Sequence, residues 1–179
     1  MSSQKQAIAR ITGFMLILIP VIAAITAALY VIYWVAGTNV IWFGPDNAHN
    51  LVIYDAAPIA ERRLVGILAT GPAVISWLIA LAHLFFLFRG FQGGAFIDTK
   101  AARRLRGYTF FAALAVLLDV AGSGARRWSQ GEFSDAPLWT HIQISPEHLL
   151  LIFTAAIFYF ISFILEYAKA YKDEAESYI

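Results

Sequence analysis

Four long apolar runs constrain this chain more than any other feature of its sequence. They cover about residues 11–37, 64–88, 108–125 and 148–167. Each is close to or above the roughly 20 residues that a helix needs to cross the hydrocarbon core of a bilayer. Charged residues make up only 14% of the chain, whereas they make up about a quarter of a soluble domain. We therefore predict an all-α integral membrane protein, a single domain over residues 1–179 with four transmembrane helices.

The first run is too long for a secretory signal peptide, whose apolar core has only about 7–15 residues. We interpret it as a retained membrane helix. Tyr30, Tyr33 and Trp34 cluster towards its far end, and rings of this kind favour the headgroup level of a bilayer. The chain is then expected to leave the membrane until about residue 57.

The distribution of basic residues predicts which side of the membrane each polar segment occupies. Nine of the 13 Lys and Arg residues lie in the two terminal segments and in the segment that joins the second run to the third, namely Lys5, Arg10, Arg89, Lys100, Arg103, Arg104, Arg106, Lys169 and Lys172. The other two segments carry Arg62, Arg63, Arg126 and Arg127. Because cytoplasmic segments carry the excess of Lys and Arg, we predict that both termini are cytoplasmic (N-in, C-in).

The two segments on the other side carry strand-like patterns. Asn39–Phe43 and Leu51–Asp55 are β-branched and aromatic runs on either side of a turn-rich stretch, and Thr140–Ile144 alternates polar and apolar residues. A lone two-stranded hairpin is marginally stable in water. We therefore predict a small external β-sheet that contains all three segments.

Small and polar residues recur on one side of the last three helices, which is typical of faces that meet other helices in a bilayer. On the second helix they are Pro72, Ser76, Ala80, His83, Leu87 and Gly90; on the third, Tyr108, Ala112, Ala115, Asp119, Ser123 and Arg126; on the fourth, His148, Ala155, Tyr159, Ser162, Glu166 and Lys169. The fourth helix has a clear start, because Ser145 is a good N-cap and Pro146 suits the first helical position.

The segment between the second and third helices carries a resemblance to a known family. Leu87-Phe88-Arg89-Gly90-Phe91-Gln92-Gly93-Gly94-Ala95-Phe96, followed by Ala101-Ala102-Arg103-Arg104-Leu105-Arg106-Gly107, resembles bacterial inner-membrane proteins that contain the domain of unknown function 2975. The charged tail after Ile164-Leu165-Glu166-Tyr167-Ala168 is similar as well. The resemblance implies a bacterial four-span protein of the inner membrane, sometimes encoded beside a helix-turn-helix regulator, and it implies no known reaction.

Three ionisable residues inside the runs are the candidates for a site, and each has two interpretations. His83 is either an axial ligand of haem or of a chlorophyll-type pigment, or a partner in an interhelical hydrogen bond, which we favour. Asp119 either handles protons or ions or, as we favour, pairs with Arg126 two turns later. Glu166 is either part of the same ion path or a structural clamp that reaches Arg89.

The basic residues Arg89, Lys100, Arg103, Arg104 and Arg106 are expected to contact anionic lipid headgroups or a soluble partner. The sequence contains no catalytic motif, and its lack of cysteine excludes disulfides and cysteine-type metal sites. A net charge of +1 does not favour nucleic acid as a direct partner.

The leading hypothesis is a non-enzymatic accessory or regulatory protein of the bacterial inner membrane. It would act through helix–helix and cytoplasmic-loop contacts with a larger membrane complex or a second copy of itself. The alternative is a protein that binds haem, pigment or quinone, or that translocates ions, through His83, Asp119 and Glu166. No particular cofactor and no metal site is predicted.

Overall fold

A computed structural model of the chain contains four helices that are long and apolar enough to cross a membrane, as the sequence predicts. The helices are α1 (Ser3–Val31), α2 (Arg63–Gln92), α3 (Thr99–Ser129) and α4 (Pro146–Ser177). A π-helical turn, Ile32–Ala36, extends α1, and a 3-10 turn, Ala60–Arg62, precedes α2. The structure describes residues 3–36, 41–42, 52–53, 58–92, 98–131, 142 and 144–177.

A short antiparallel pairing lies between α1 and α2 along the chain. Strand β1 (Ile41–Trp42) pairs with strand β2 (Val52–Ile53), with Ile41 opposite Ile53. The rest of the predicted strands Asn39–Phe43 and Leu51–Asp55 lies outside the described residues. In the third predicted strand only Ile142 and Ile144 are described, and neither belongs to a strand. The predicted external sheet is therefore not supported, because it needs a third strand and only this two-residue pairing is described.

The helices pack mainly as sequence neighbours, with α2 against α1 and α3, and α4 against α3. Contacts across these pairs show an antiparallel arrangement: Trp34 meets Gly66, Ala69 meets Gly122, and His83 meets Gly107. We call the end at which α2 and α4 begin the Ser145 end. The opposite end, at which α3 begins, is the Arg106 end. This arrangement brings residues that are far apart in sequence together at both ends.

Small residues let the backbones of α2 and α3 approach closely. A Cβ atom on Gly122 would lie 2.5 Å from the carbonyl oxygen of Ala69. Ser76 donates a hydrogen bond to the carbonyl oxygen of Phe111 at 2.9 Å. Where the π-helical turn after α1 packs on α2, Gly66 likewise leaves space for the indole ring of Trp34. This ring is only 2% exposed. In a bilayer, interfaces of this type are stabilised by close van der Waals contact and interhelical hydrogen bonds rather than by burial from water.

The predicted helix faces are largely confirmed. Ser76, Ala80 and Leu87 of α2, Ala112, Ala115 and Ser123 of α3, and Ala155 and Ser162 of α4 are all buried. Three members of those faces were wrongly placed in the interior, since Pro72, Tyr159 and Glu166 are exposed. At the level of Pro72, the buried positions of α2 are Thr70 and Ala73, so the contact face is rotated from the predicted one.

Helices α1 and α4 leave large apolar side chains exposed. Large apolar side chains at least 60% exposed are Phe14 and Ile17 of α1, Val35 of the π-helical turn that extends α1, and Leu150, Phe153 and Phe160 of α4. A water-soluble protein rarely exposes so much contiguous apolar surface. These faces are those of a multi-pass membrane protein, in which hydrocarbon chains surround the helices.

Candidate functional site

Four polar residues meet where α4 begins against α3, and we call them the Asp119 cluster: Asp119, Arg126, Ser145 and His148. Asp119 Oδ1 accepts a hydrogen bond from the Arg126 guanidinium at 3.3 Å, which is the pairing that the sequence predicted. Its other oxygen, Oδ2, lies 3.1 Å from His148 Nε2. The two contacts use both oxygens of a carboxylate that is one-third exposed, and they offset the cost of placing its charge inside an apolar helix.

Ser145 and His148 form a capping box at the start of α4. The backbone N–H of Ser145 donates to His148 Nδ1 at 3.0 Å, and the backbone N–H of His148 donates to Ser145 Oγ at 3.4 Å. In the usual capping box, Glu or Gln occupies the position that His148 takes here. The sequence-based prediction that α4 starts at Ser145-Pro146 is confirmed.

The same atoms resemble a Ser–His–Asp relay in their connectivity, since Ser145 Oγ also lies 3.0 Å from His148 Nδ1. A catalytic relay needs the free lone pair of that nitrogen to take the serine proton. Here the backbone N–H of Ser145 is bonded to it. The arrangement is therefore that of a helix cap, in which Nδ1 does not take the serine proton as long as the bond from the Ser145 N–H is made.

The Asp119 cluster lies well inside the length of α3. The helix continues for ten residues beyond Asp119, to Ser129, which corresponds to about 15 Å at 1.5 Å per residue. Asp119 bonds to the third residue of α4. The start of α4 therefore lies opposite the interior of α3, about 15 Å from the end of α3 at Ser129. The carboxylate of Asp119 is not at the terminus of its helix.

A second polar group, which we call the Arg106 cluster, joins α3 to α4 at the other end. It consists of Arg106, Ser162, Phe163 and Glu166. The Arg106 guanidinium donates to the Glu166 carboxylate and to Ser162 Oγ at 3.2 Å, and it lies 4.7 Å from the centre of the Phe163 ring. Ser162 is fully buried.

The expectation that Glu166 reaches Arg89 is therefore wrong. Helix α4 packs on α3, which brings Glu166 to Arg106 instead. Arg89 is exposed in the last turn of α2.

His83 is a packing residue in this structure. Its ring stacks on Phe111 of α3, with ring centres 5.6 Å apart and planes 17° from parallel, and Gly107 provides the space beside it. The contacts described for its ring are this stacking and the approach to Gly107, so the favoured interhelical hydrogen bond stays a prediction. Gly107 has no side chain, and the imidazole fills the space that a side chain would occupy.

His83 and His148 are too far apart to hold one haem together. His83 lies beside Gly107 and His148 beside Asp119, and these α3 residues are 12 positions apart. That separation is about 18 Å along the helix axis, whereas two axial ligands bind the same iron atom. Ligation by His83 alone remains an untested prediction.

The five basic residues that were predicted to contact lipid or a partner have different surroundings. Arg106 is bound in its cluster, and Arg104 donates to the carbonyl oxygen of Phe86 near the end of α2. Arg89, Lys100 and Arg103 are exposed. Of the residues predicted to contact lipid or a partner, these three therefore have their charged groups most available.

The sequence did not predict the contact between Asp119 and His148, although both residues were placed on interior faces. The missing information was the axial register of α4 against α3. In the part of the chain that the structure describes, no group of three or more His, Asp or Glu residues is placed to hold a metal ion.

No protein-family model, no curated protein and no solved structure matches this chain. The resemblance to the domain of unknown function 2975 rests on sequence motifs alone, so it stays a prediction.

Proposed function

We propose that this protein is a non-enzymatic accessory or regulatory protein of the bacterial inner membrane, with both termini in the cytoplasm. It acts through helix–helix contacts and through its basic segment, on a larger membrane complex or a second copy of itself. The likeness to the domain-of-unknown-function 2975 family belongs to this proposal. The observation that carries it is the way in which the charges within the helices are used.

These charges hold the helices together. Asp119 bonds to Arg126 and His148, and Glu166 bonds to Arg106. Between the two clusters, the α2–α3 interface is packed with small residues such as Ala80, Ala112 and Ala115, which are at most 7% exposed. A transport site usually places an ionisable group beside a cavity or a water-filled path. The described packing is better suited to a scaffold.

The exposed parts of the scaffold suit association. Helices α1 and α4 present apolar surfaces, and Arg89, Lys100 and Arg103 present positive charge. In the membrane, the apolar faces contact lipid or the helices of a partner, and the basic residues contact anionic headgroups. A small protein with these surfaces and a well-packed α2–α3 pair is suited to binding along the side of a larger assembly.

Ion translocation or cofactor binding is the second candidate, and one observation favours it. Asp119 is an acid about 15 Å from the end of its helix, and intramembrane acids are often functional. A path that used Asp119 and Glu166 would also have to cross the packed interval between the two clusters. Arg106 lies 13 positions from Asp119, or about 20 Å along α3.

Purification in a mild detergent separates the two candidates. The scaffold proposal predicts a colourless protein that co-purifies in fixed stoichiometry with a larger membrane complex, or that forms a defined homo-oligomer. A visible absorbance band that disappears in His83→Ala would instead indicate a bound cofactor. Purification as a monomer, combined with an ion flux in liposomes that Asp119→Asn abolishes, would overturn the proposal.

A further inference from the structure

The hydrogen bonds around His148 define its protonation state. A backbone N–H can only donate, so the bond from Ser145 N–H at 3.0 Å requires that His148 Nδ1 carries no proton. Nε2 lies 3.1 Å from Asp119 Oδ2, and an ionised carboxylate can only accept. His148 is therefore the neutral imidazole with its proton on Nε2, bonded to α4 through one nitrogen and to α3 through the other.

We propose that His148 is a proton-binding site whose occupancy controls the start of α4. A proton from water binds the lone pair of Nδ1, and the imidazole gains one positive charge. Nδ1–H then faces the backbone N–H of Ser145, and two donors cannot form a hydrogen bond with each other. Among the residues that the structure describes, the acceptor next to Nδ1–H is then Ser145 Oγ, at 3.0 Å. The Ser145 N–H loses its partner, and half of the capping box is broken.

The charges that face His148 determine how it responds. On α3, Asp119 attracts the added charge and Arg126 repels it. On α4, the neighbouring Glu147 adds a negative charge in the first turn. The positive end of the helix dipole opposes a cation there. Protonation therefore strengthens the bond from His148 to α3 and weakens the bond from His148 to the backbone of its own helix.

The position of His148 allows this exchange to occur. His148 is the third residue of α4 and its side chain is 16% exposed, so it is not sealed inside the helix packing. The preceding Ile144 is exposed and Ser145 is half-buried, so the start of α4 can loosen without disturbing a packed core. The change is confined to the Ser145 end, because the Arg106 cluster holds the remainder of α4 to α3 through groups that contain no histidine.

Nuclear magnetic resonance on the full chain in detergent or nanodiscs tests this proposal. Nitrogen-15 shifts of the imidazole give the tautomer of His148, and amide exchange gives the protection of the Ser145 N–H. Between pH 8 and pH 5 we expect the protection factor at Ser145 to fall roughly tenfold, the typical effect of losing a helix cap. The comparison uses rates corrected for the intrinsic pH dependence of exchange.

Two variants make the test specific. His148→Gln keeps an acceptor for the Ser145 N–H but cannot be protonated, so its protection at Ser145 should not change with pH. His83→Gln alters the other histidine within the helices and should behave like the unmodified chain. An Nδ1–H tautomer at pH 8, an unchanged protection factor at pH 5, or the same pH response in His148→Gln would overturn the proposal. The tautomer measurement on the unmodified chain decides the matter even if His148→Gln does not fold.

Discussion

Adding a methyl group at Gly107 tests whether His83 is a packing residue. A Cβ atom at this position would lie 2.5 Å from His83 Nδ1 and 2.6 Å from Cε1. Ordinary contacts between such atoms begin at about 3.4 Å, so the ring must move by roughly 1 Å. It is held on its other side by the stacked Phe111. Overpacking of this kind costs about 1–3 kcal/mol, although alanine gains about 1 kcal/mol over glycine from helix propensity.

A matched control removes the propensity effect. Gly13 in α1 has no atom within 4 Å of the position that a Cβ would occupy, so Gly13→Ala measures the effect of alanine alone. We expect Gly107→Ala to be less stable than Gly13→Ala by about 1–3 kcal/mol. In a His83→Ala background the clash is absent, and the two glycine substitutions should agree within about 0.5 kcal/mol.

Reversible unfolding by sodium dodecyl sulfate, followed by far-ultraviolet circular dichroism, gives the free energies for this comparison. The diagnostic quantity is the difference between the effect of Gly107→Ala in the unmodified chain and its effect in His83→Ala. An equal effect of Gly107→Ala in both backgrounds would show that His83 does not pack on Gly107, and the reasoning would be refuted.

The remaining predictions concern the other helix contacts and use the same unfolding assay. Gly122→Ala should destabilise the protein by about 1–3 kcal/mol relative to Gly13→Ala, because the added Cβ would meet the backbone of Ala69. Equal stability of the two variants would contradict the close approach of α2 and α3. Asp119→Asn should cost about 1–3 kcal/mol, since it removes the charged acceptor of Arg126 and His148, and a neutral effect would argue against the Asp119 cluster. A double-mutant cycle of Arg106→Gln and Glu166→Gln should give a coupling free energy of only about 0.2–1 kcal/mol that decreases with salt, because both side chains are at least one-third exposed. A coupling of several kcal/mol would contradict this prediction.

The sequence predicted the helices well, because their composition and capping are local properties. The apolar runs gave the four helices, and Ser145-Pro146 gave the start of α4. The Asp119–Arg126 pair was also predictable, since residues seven positions apart lie on one side of a helix. Each of these inferences needs only one segment of the chain.

The contacts between segments were harder to predict, because they depend on how far one helix is shifted along another. Glu166 was expected to meet Arg89, but the packing of α4 on α3 brings it to Arg106. His148 was placed on the correct face of α4. Its contact with Asp119, however, requires that α4 begins beside the interior of α3, about 15 Å along the helix axis from the end of α3. A periodic pattern gives the face of a helix and contains no information on that axial shift.

The account depends most on the claim that four helices cross the membrane with both termini in the cytoplasm. The chain has no native cysteine, so single cysteines can be introduced at Ser3, Ser134 and Ser177 and treated with a membrane-impermeant maleimide in intact cells. We predict that Ser134→Cys is labelled directly and that Ser3→Cys and Ser177→Cys are labelled only after the membrane is permeabilised. Labelling of either terminal cysteine in intact cells would contradict the claim.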